Sequence, residues 1–516
     1  MIFEGPPGKI GEENTAASGA AAQEGCEAEL ENAEKSRIDH GGDFLLEADY
    51  EENRRAADRY LRVEESFDVV GRNITIGGRR ARLYFVDGFV KDDLMQRVMQ
   101  FLMGAKPEEM QSLPTMEAFA DRFLPYVEVS EASRMEDIAV QVLSGTLALL
   151  VEGYAGALMV DARTYPARGV EEPDDDRVLR GAHDGFVETL VFNTALIRRR
   201  LRDPRLTMEI VQVGAVSRTD VVISYMEGVA DPKRVERLRA AIRGITLPSL
   251  TMGQESLAEC LARRQWYNPF PKVRYTERPD CAAASIAEGG IAVVVDNTPS
   301  VMLLPTSIFE FVQDANDFYF PPLVGTYLRL VRMLIFLLTL FLTPVWYLLL
   351  RNPEWIPAWM DFVRIKEPNS VPILLQLLVI ELMIDGIKLA SLNTPGALNN
   401  AFGIVGALIL GEFAVGAGLF VPEVMLYMAF VAIATFTQPS FELGYAFKLF
   451  RILFLVFSAL WGIWGFVGGV ALMLLVVATT KTVAGGSYLF PLIPFHGPAL
   501  LRLLLRFPIH RKNAGR

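Results

Sequence analysis

Charged side chains inside the apolar C-terminal part of the chain are the residues with the clearest chemical potential. Glu381 and Asp385 are four residues apart and therefore share one helix face, which Lys388 continues three residues later. Glu412 follows in the next apolar segment. A charge at the centre of a bilayer costs about 2.5–3.5 kcal/mol on insertion scales, so each of these side chains must face another helix, a water-filled cavity or an ion path.

Two interpretations of this charged face stay open. In the first, Glu381 and Asp385 attract cations into a path, as acidic rings do in cation channels, and Lys388 and Glu412 belong to the same path. In the second, Asp385 and Lys388 form an internal ion pair, and the remaining charge is exposed at a helix end.

Small residues are frequent in the same region and allow helices to approach closely. We expect ordinary tight helix packing, more than a direct role in lining a pore, at five glycines: Gly403, Gly406, Gly411, Gly416 and Gly418.

The rest of the chain offers no constellation for catalysis or for metal binding. Phosphate-binding loops and nucleophile elbows are absent from the sequence. The cysteines match no metal or redox spacing, which indicates a reducing compartment. The isolated residues are Cys26, Cys260, Cys281, His40, His183, His496 and His510. We therefore predict a protein that is not an enzyme and that needs no cofactor and no metal.

The elements that must position the charged face fall into a soluble and an apolar part. Residues 1–66 are predicted to be an acidic disordered arm, because their small and acidic residues show no apolar periodicity; a short helix near residues 51–63 stays open. Alternating strand and helix patterns then predict two small α/β subdomains, over residues 67–165 and 166–320. The predicted fold class is an α/β soluble N-terminal half followed by an all-α polytopic transmembrane domain.

Residues 321–487 are predicted to cross a lipid bilayer several times, and residues 488–516 to form an interfacial basic tail. The candidate spans are residues 326–350, 372–390, 399–418, 419–437 and 450–479. The last of them is long and contains WGIWGFVGG, where a break or a re-entrant bend is predicted. Arginines before the first span and in the tail favour both termini in the cytoplasm, which requires an even number of crossings. Either one of the five segments does not cross or the long one crosses twice, so whether five or six segments cross stays open.

The net charge of −11 resides mainly in the arm and the middle region, whereas the tail after Arg502 is basic. This distribution argues against nucleic acid as a partner and favours a tail beside an anionic membrane face. The N-terminus lacks a basic-then-apolar leader, so we expect that the soluble half is not exported.

Several segments, in order from about residue 67 to the C-terminus, resemble the GerA family of spore germination proteins. In the apolar half, residues 380–424 are similar to the core segment of that family. The stretches SLNTP and VDNTPS are most similar to its stage V sporulation branch. The segments in the soluble half are LRGAHDGFVETLVFNTALIRRRLRDPRL (179–206), VGAVSRTDVVISYMEGVAD (213–231), NPFPKVRYTERPD (268–280) and VVDNTPSVMLLPT (294–306).

The resemblance implies a multi-pass protein of the inner spore membrane, with its soluble half and C-terminus facing the spore core. It implies a homo-oligomer around an ion-conducting path, a small AE-type stage V sporulation partner, and action alongside germinant receptors. Receptor A subunits of the family carry Glu-Leu-x-Arg-Glu-Ala from the position of Glu381. Here Ile384, Asp385 and Gly386 replace the last three residues, so the second acid is kept and the arginine is absent.

Three functions follow as hypotheses. The first is an oligomeric ion channel that releases cations from the spore core and amplifies germination. The second is a germinant-receptor A subunit, which would bind a nutrient in the soluble half or between the halves and gate the same kind of path. The third is a non-conducting scaffold for germination proteins, in which the buried charges are structural.

Overall fold

The computed structural model of this 516-residue chain describes residues 43–47, 49–124, 128–164, 181–262, 267–314, 316–367, 370–393 and 414–506. The acidic arm before residue 43 lies outside the described residues. So do four of the predicted site residues, namely Gly403, Gly406, Gly411 and Glu412.

The first subdomain contains a five-stranded antiparallel sheet in the order β1-β2-β4-β5-β3. Its strands are β1 (Val69–Ile76), β2 (Arg79–Val86), β3 (Val129–Ala132), β4 (Leu147–Val151) and β5 (Ala157–Val160). Its helices are α1 (Tyr50–Tyr60), α2 (Asp92–Met103), α3 (Pro107–Gln111), α4 (Met116–Phe123) and α5 (Met135–Leu143). β4 and β5 are apolar and buried at every position because α1 and α5 cover one face of the sheet and α2 to α4 the other.

Residues 43–47 and 49–66, assigned to the disordered arm in the sequence prediction, belong instead to the first subdomain. The side chain of Asp49 caps α1 by accepting two backbone N–H bonds. One stripe of α1 packs into the core of the sheet, and its apolar members are Tyr50, Ala57 and Tyr60. The short helix left open near residues 51–63 is therefore present, but composition assigned it to the arm because six of its eleven residues are charged, which is normal for the exposed face of an amphipathic helix.

The second subdomain contains another antiparallel sheet, in the order β6-β7-β9-β10-β8. Its strands are β6 (Leu206–Val213), β7 (Thr219–Met226), β8 (Arg274–Thr276), β9 (Ile291–Val295) and β10 (Val301–Leu304). Its helices are α6 (Leu190–Arg200), α7 (Pro232–Arg243), α8 (Gln254–Leu261) and α9 (Pro279–Ala287). The predicted α/β class of the soluble half is therefore confirmed, with antiparallel sheets.

The second subdomain repeats the first, and the repetition extends to individual hydrogen bonds. The strand orders are the same once β1 is matched with β6. Asn53 in α1 accepts from the backbone N–H of Glu47 and donates to its carbonyl, and Asn193 in α6 makes the same two bonds with Val187. Two backbone hydrogen bonds of the first copy also recur in the second. The N–H of Leu46 donates to the carbonyl of Ser133, and in the second copy Phe186 donates to Glu277 in the same way. The N–H of Asp87 donates to the carbonyl of Asp68, and its counterpart Glu227 donates to Arg205. The soluble half thus contains an internal structural repeat.

A buried ion pair joins the two copies. Arg198 of α6 is fully buried, and its Nε and Nη2 lie 2.8 Å and 3.0 Å from the two carboxylate oxygens of Asp68. Ser66 donates to the same carboxylate at 2.7 Å. The backbone N–H of Phe67 donates to the carbonyl of Met208, so the loop before β1 adds to the edge of the second sheet.

The C-terminal half is mostly helical. Its α-helices are α10 (Asn316–Tyr319), α11 (Pro322–Arg351), α12 (Ile373–Asn393), α13 (Ala414–Gly416), α14 (Pro422–Phe436), α15 (Phe441–Trp461), α16 (Ile463–Thr479) and α17 (Gly497–Leu504). Short 3₁₀ helices cover Ile308–Val312, Pro353–Trp355 and Ala358–Val363. Among the described residues, α11 and α15 are long and apolar enough to cross a membrane, and α14 and α16 are apolar but shorter.

The predicted break in WGIWGFVGG is confirmed at Gly462. This glycine has φ +62° and separates α15 from α16, so the residues read as one long segment form two helices. α11 and α15 both begin beside the soluble half, and at their far ends Arg351 donates to the carbonyl of Ser458 at 2.7 Å. α16 returns to the soluble half, where the side chain of Asn268 donates to Thr480 at 2.7 Å.

The loop after α16 fastens the helical half to the second copy. Ala484 is buried in the core of the second subdomain. Tyr488, placed by the sequence prediction at the start of an interfacial tail, is buried, and its hydroxyl donates to the carbonyl of Pro271 at 2.7 Å. Phe270 stacks on Phe450 of α15 with ring centroids 5.4 Å apart. The two halves therefore share a packed apolar junction.

Candidate functional site

The predicted charged face of α12 lies against α15, which carries two cations that the prediction did not include. Glu381, Asp385 and Lys388 are on α12, and Lys448 and Arg451 are three residues apart on α15. The helices run in opposite directions, because the earlier residue of α12 pairs with the later residue of α15. Five ionisable side chains therefore meet between apolar helices.

The Glu381–Arg451 ion pair is the buried centre of this network. Oε1 of Glu381 accepts from Nε and Nη2 of Arg451 at 2.7 Å and 2.6 Å, and the two residues are 2% and 1% exposed. Nη1 of Arg451 also donates to the carbonyl of Thr339 at 2.8 Å, so the guanidinium ties α11, α12 and α15 together. Because desolvated charges need full pairing, removal of one partner would leave the other charge buried and uncompensated.

Lys448 bridges both carboxylates of α12. Its ammonium lies 3.3 Å from Oε2 of Glu381, donates to the backbone carbonyl of Glu381 at 3.2 Å, and contacts Oδ1 of Asp385. The Asp385 side chain is 30% exposed, in contrast to Glu381. Asp385 therefore lies at the open edge of the network.

Lys388 does not form the ion pair with Asp385 that the second interpretation of the charged face predicts. Its ammonium donates to the hydroxyl of Thr435 at 3.1 Å. It also lies over the rings of Phe436 and Tyr445, 5.4 Å and 5.6 Å from their centroids. These cation–π contacts stabilise a charge in an apolar setting. The described network holds two carboxylates and three cations, so its formal net charge is +1. It therefore differs from a ring that contains acidic side chains alone.

Lys448 and Arg451 were missed for a traceable reason. Both lie in the apolar run LGYAFKLFRILFLVF, where a charge is costly and marks a functional or paired position. The prediction began its last span at residue 450, which left Lys448 outside the segment. A search for cations able to pair with Glu381 would have found them.

The predicted packing glycines that the structure describes do not lie at close contacts. A Cβ placed on Gly416 or Gly418 would meet no atom of the described residues within 4 Å. Close approach occurs instead at the α15–α16 pair, where a Cβ on Gly465 would lie 2.0 Å from the carbonyl oxygen of Phe457. A Cβ on Gly469 would lie 2.9 Å from the ring of Phe454. The chain reversal at Gly462 brings these two helices together, so that Gly465 and Gly469 lie at their contact.

A second charged cluster lies where the soluble half joins α11. Nη2 of the buried Arg278 is 2.6 Å from Oδ2 of Asp280, and the hydroxyl of Tyr319 donates to the same oxygen at 2.5 Å. Burial raises the pKa of Asp280, but the hydrogen bonds from Arg278 and Tyr319 outweigh it and hold that pKa below its ordinary value. Tyr319 ends α10, directly before the long apolar helix.

A cavity of about 600 Å³ lies between the two copies of the soluble half. Its walls come from β2, α2 and α6, and include apolar side chains such as Phe85, Met95 and Phe192. Its polar lining carries both signs of charge: Arg72, Asp87, Lys91 and Asp92. The volume lies within the range of ordinary small-molecule sites.

Comparison with known proteins gives matches over most of the chain. Residues 60–515 match the sequence profile of the family described as Bacillus/Clostridium GerA spore germination protein. Stage V sporulation protein AF of Bacillus subtilis (strain 168) is 40% identical over 441 residues, which cover 86% of this chain and 89% of that protein. Spore germination protein KA of the same organism is 27% identical and covers 88% and 84%.

A solved structure is also similar to part of the chain. It is the N-terminal domain of the A subunit of the Bacillus megaterium spore germinant receptor GerK3, at 26% identity and a TM-score of 0.40. The match covers 51% of this chain and 96% of that domain.

Proposed function

The chain belongs to the Bacillus/Clostridium GerA family of spore germination proteins, and we propose that it is an oligomeric membrane subunit that conducts cations out of the spore core during germination. The observation that carries the proposal is the network of Glu381, Asp385, Lys388, Lys448 and Arg451 between apolar helices. Ionisable groups within membrane segments mark ion paths and relays more often than they serve packing alone.

Within this proposal the charged residues have separate roles. Glu381 and Arg451 are buried and fully engaged, so they form the fixed anchor of the helices. Asp385 is partly exposed and its ion pair is with Lys448, so it lies at the edge of the ion path. Separation of Lys448 from Asp385 would leave a free carboxylate facing the path, which favours the entry of cations.

The oligomer and the orientation are part of the same proposal. Large apolar side chains remain exposed along the outer faces of the long helices, and lipid or a second copy would cover them: Leu330, Leu334, Leu337, Leu449 and Leu460. The opposite directions of α15 and α16 favour six crossings over five, with both ends of the helical half on the side of the soluble half. We place that side in the spore core and the chain in the inner spore membrane.

The test is potassium flux from liposomes that contain the full chain together with its proposed small AE-type stage V sporulation partner. Wild type is compared with Asp385→Asn, which leaves the Glu381–Arg451 pair in place, and with Glu354→Gln, which removes an exposed acid outside the network. We expect flux from wild type and from Glu354→Gln and at least a severalfold loss for a folded Asp385→Asn. A silent wild type with its partner present would favour the scaffold hypothesis instead.

A second candidate function rests on the cavity between the two copies. A lining with both charge signs and apolar walls suits a small zwitterion, such as a free amino acid, and so favours a nutrient-binding A subunit. Thermal unfolding of the full chain with each of the common amino acids tests it. A ligand that raises the midpoint for wild type and not for Arg72→Gln/Lys91→Gln supports this function, and no shift with any of them removes it.

A further inference from the structure

A group of cations lies where α7 of the second copy meets the loop that follows α16. Arg237 lies four residues after Lys233 and three after Arg234, so the three cations lie on one side of α7. The opposite side of α7 packs into the core of the second subdomain through Val235 and Leu238. The cationic side consequently faces outward.

The loop after α16 lies directly beneath these arginines. α16 ends at Thr479, and the exposed Lys481 follows two residues later. A backbone bridge between Lys481 and Ser487 closes the loop. A Cβ placed on Gly485 would lie 2.7 Å from Nη1 of Arg237, so this guanidinium rests on the loop backbone where glycine leaves room for it.

Carboxylates compensate this group only in part. Arg234 is 3.4 Å from Asp231, and both side chains are about half exposed. Lys233, Arg237 and Lys481 make no ion pair with any residue in the described ranges. Three uncompensated cations therefore lie within one loop of the end of an apolar helix.

We propose that this group, Lys233, Arg234, Arg237 and Lys481, binds the phosphate of an anionic phospholipid. The inference rests on the membrane insertion proposed above, because α16 then ends at the headgroup level and its apolar surface lies beside the acyl chains. Cations next to an anionic leaflet each strengthen binding by roughly fivefold near the surface. Ala484 of the loop is buried against α7, so a bound lipid would contact both halves of the chain at once.

The experiment measures thermal unfolding of the detergent-purified full chain after addition of phosphatidylglycerol or phosphatidylcholine. The test variant is Arg234→Gln/Arg237→Gln/Lys481→Gln. The control is Arg55→Gln/Arg59→Gln/Arg97→Gln, which removes three exposed cations from the first copy and changes the net charge equally. The measured quantity is the lipid concentration that gives half of the shift in the unfolding midpoint. For wild type and control we expect this concentration to be at least tenfold lower for phosphatidylglycerol than for phosphatidylcholine. The test variant should lose this difference.

Two further arms decide between outcomes. Inorganic phosphate at equal concentration should give no shift in the unfolding midpoint. A full shift with phosphate would identify a site for free anions and overturn the lipid assignment. An unchanged lipid preference in the test variant would also overturn it. Alkaline washing of vesicles that contain wild type reports membrane insertion separately. A chain that is washed out contradicts the proposed function, whereas a retained chain without lipid preference contradicts this inference alone.

Discussion

Arg451 and Glu381 form an ion pair that is removed from solvent, with Nη2 and Oε1 2.6 Å apart and both residues at most 2% exposed. The pair joins helices that are 70 residues apart in sequence, and the guanidinium reaches a third helix through the carbonyl of Thr339. It is therefore a structural anchor at the centre of the helical half.

We expect Arg451→Leu or Glu381→Leu alone to destabilise the chain by about 3–5 kcal/mol, because each leaves a buried charge without its partner. The double variant Glu381→Leu/Arg451→Leu should regain much of that loss, since no unpaired charge remains. Thermal unfolding in detergent, followed by tryptophan fluorescence, measures all three. Single variants that melt like wild type would show that the pair does not anchor these helices.

Gly465→Ala should separate α15 from α16, because the new Cβ would lie 2.0 Å from the carbonyl oxygen of Phe457, which belongs to the backbone and cannot rotate away. Gly468→Ala is the matched control on the same helix, where a Cβ would meet nothing within 4 Å in the part of the chain that the structure describes. The control should be neutral or more stable by about 0.5–1 kcal/mol, from helix propensity. Equal melting temperatures for the two variants would contradict the packing described here.

Asn53→Ala and Asn193→Ala should destabilise the soluble half by similar amounts, about 1–3 kcal/mol each, because each leaves a backbone donor and a backbone acceptor unsatisfied. Unfolding of the full chain, with hydrogen exchange at α1 and α6, measures both and assigns each loss to its own copy. A loss confined to one variant would mean that the two copies do not rely on the same bonds.

Asp280 should contribute stability that depends on pH. Its pKa in the folded chain lies below the ordinary value, so the contribution is fully present above the unfolded pKa of about 3.9 and is lost as pH falls through the folded value. Asp280→Asn should therefore melt below wild type at neutral pH, with the difference shrinking under acid conditions. Asp121→Asn, which changes an exposed acid on α4 in the same way, is the matched control.

Composition and periodicity locate what depends on local sequence. The apolar runs of α11 and α15, the break at Gly462 and the two α/β units follow from run length, glycine position and alternating patterns. The antiparallel sheet order does not follow, because the pairing of β2 with β4 joins strands that are separated by four helices and by β3.

The candidate site was only half visible in the sequence. Glu381, Asp385 and Lys388 share a face by spacing, but the partners of the two acids lie on another helix, and the spacing along α12 does not say which helix that is. The repeat was equally hidden. DYEENRR around Asn53 and TLVFNTA around Asn193 share little beyond the asparagine, because the conserved property is the bond that it makes with the chain six residues earlier.

The two copies share several hydrogen bonds but differ in their contacts with the rest of the chain. The second copy carries contacts to the helical half: Ala484 lies in its core, Tyr488 donates to the carbonyl of its Pro271, and its Arg278 donates to Tyr319, just before the long helix. The first copy is joined to the second by the ion pair between Asp68 and Arg198. A ligand or partner that shifts the second copy would therefore act directly on the helical half, whereas a shift of the first copy would be passed on through this ion pair.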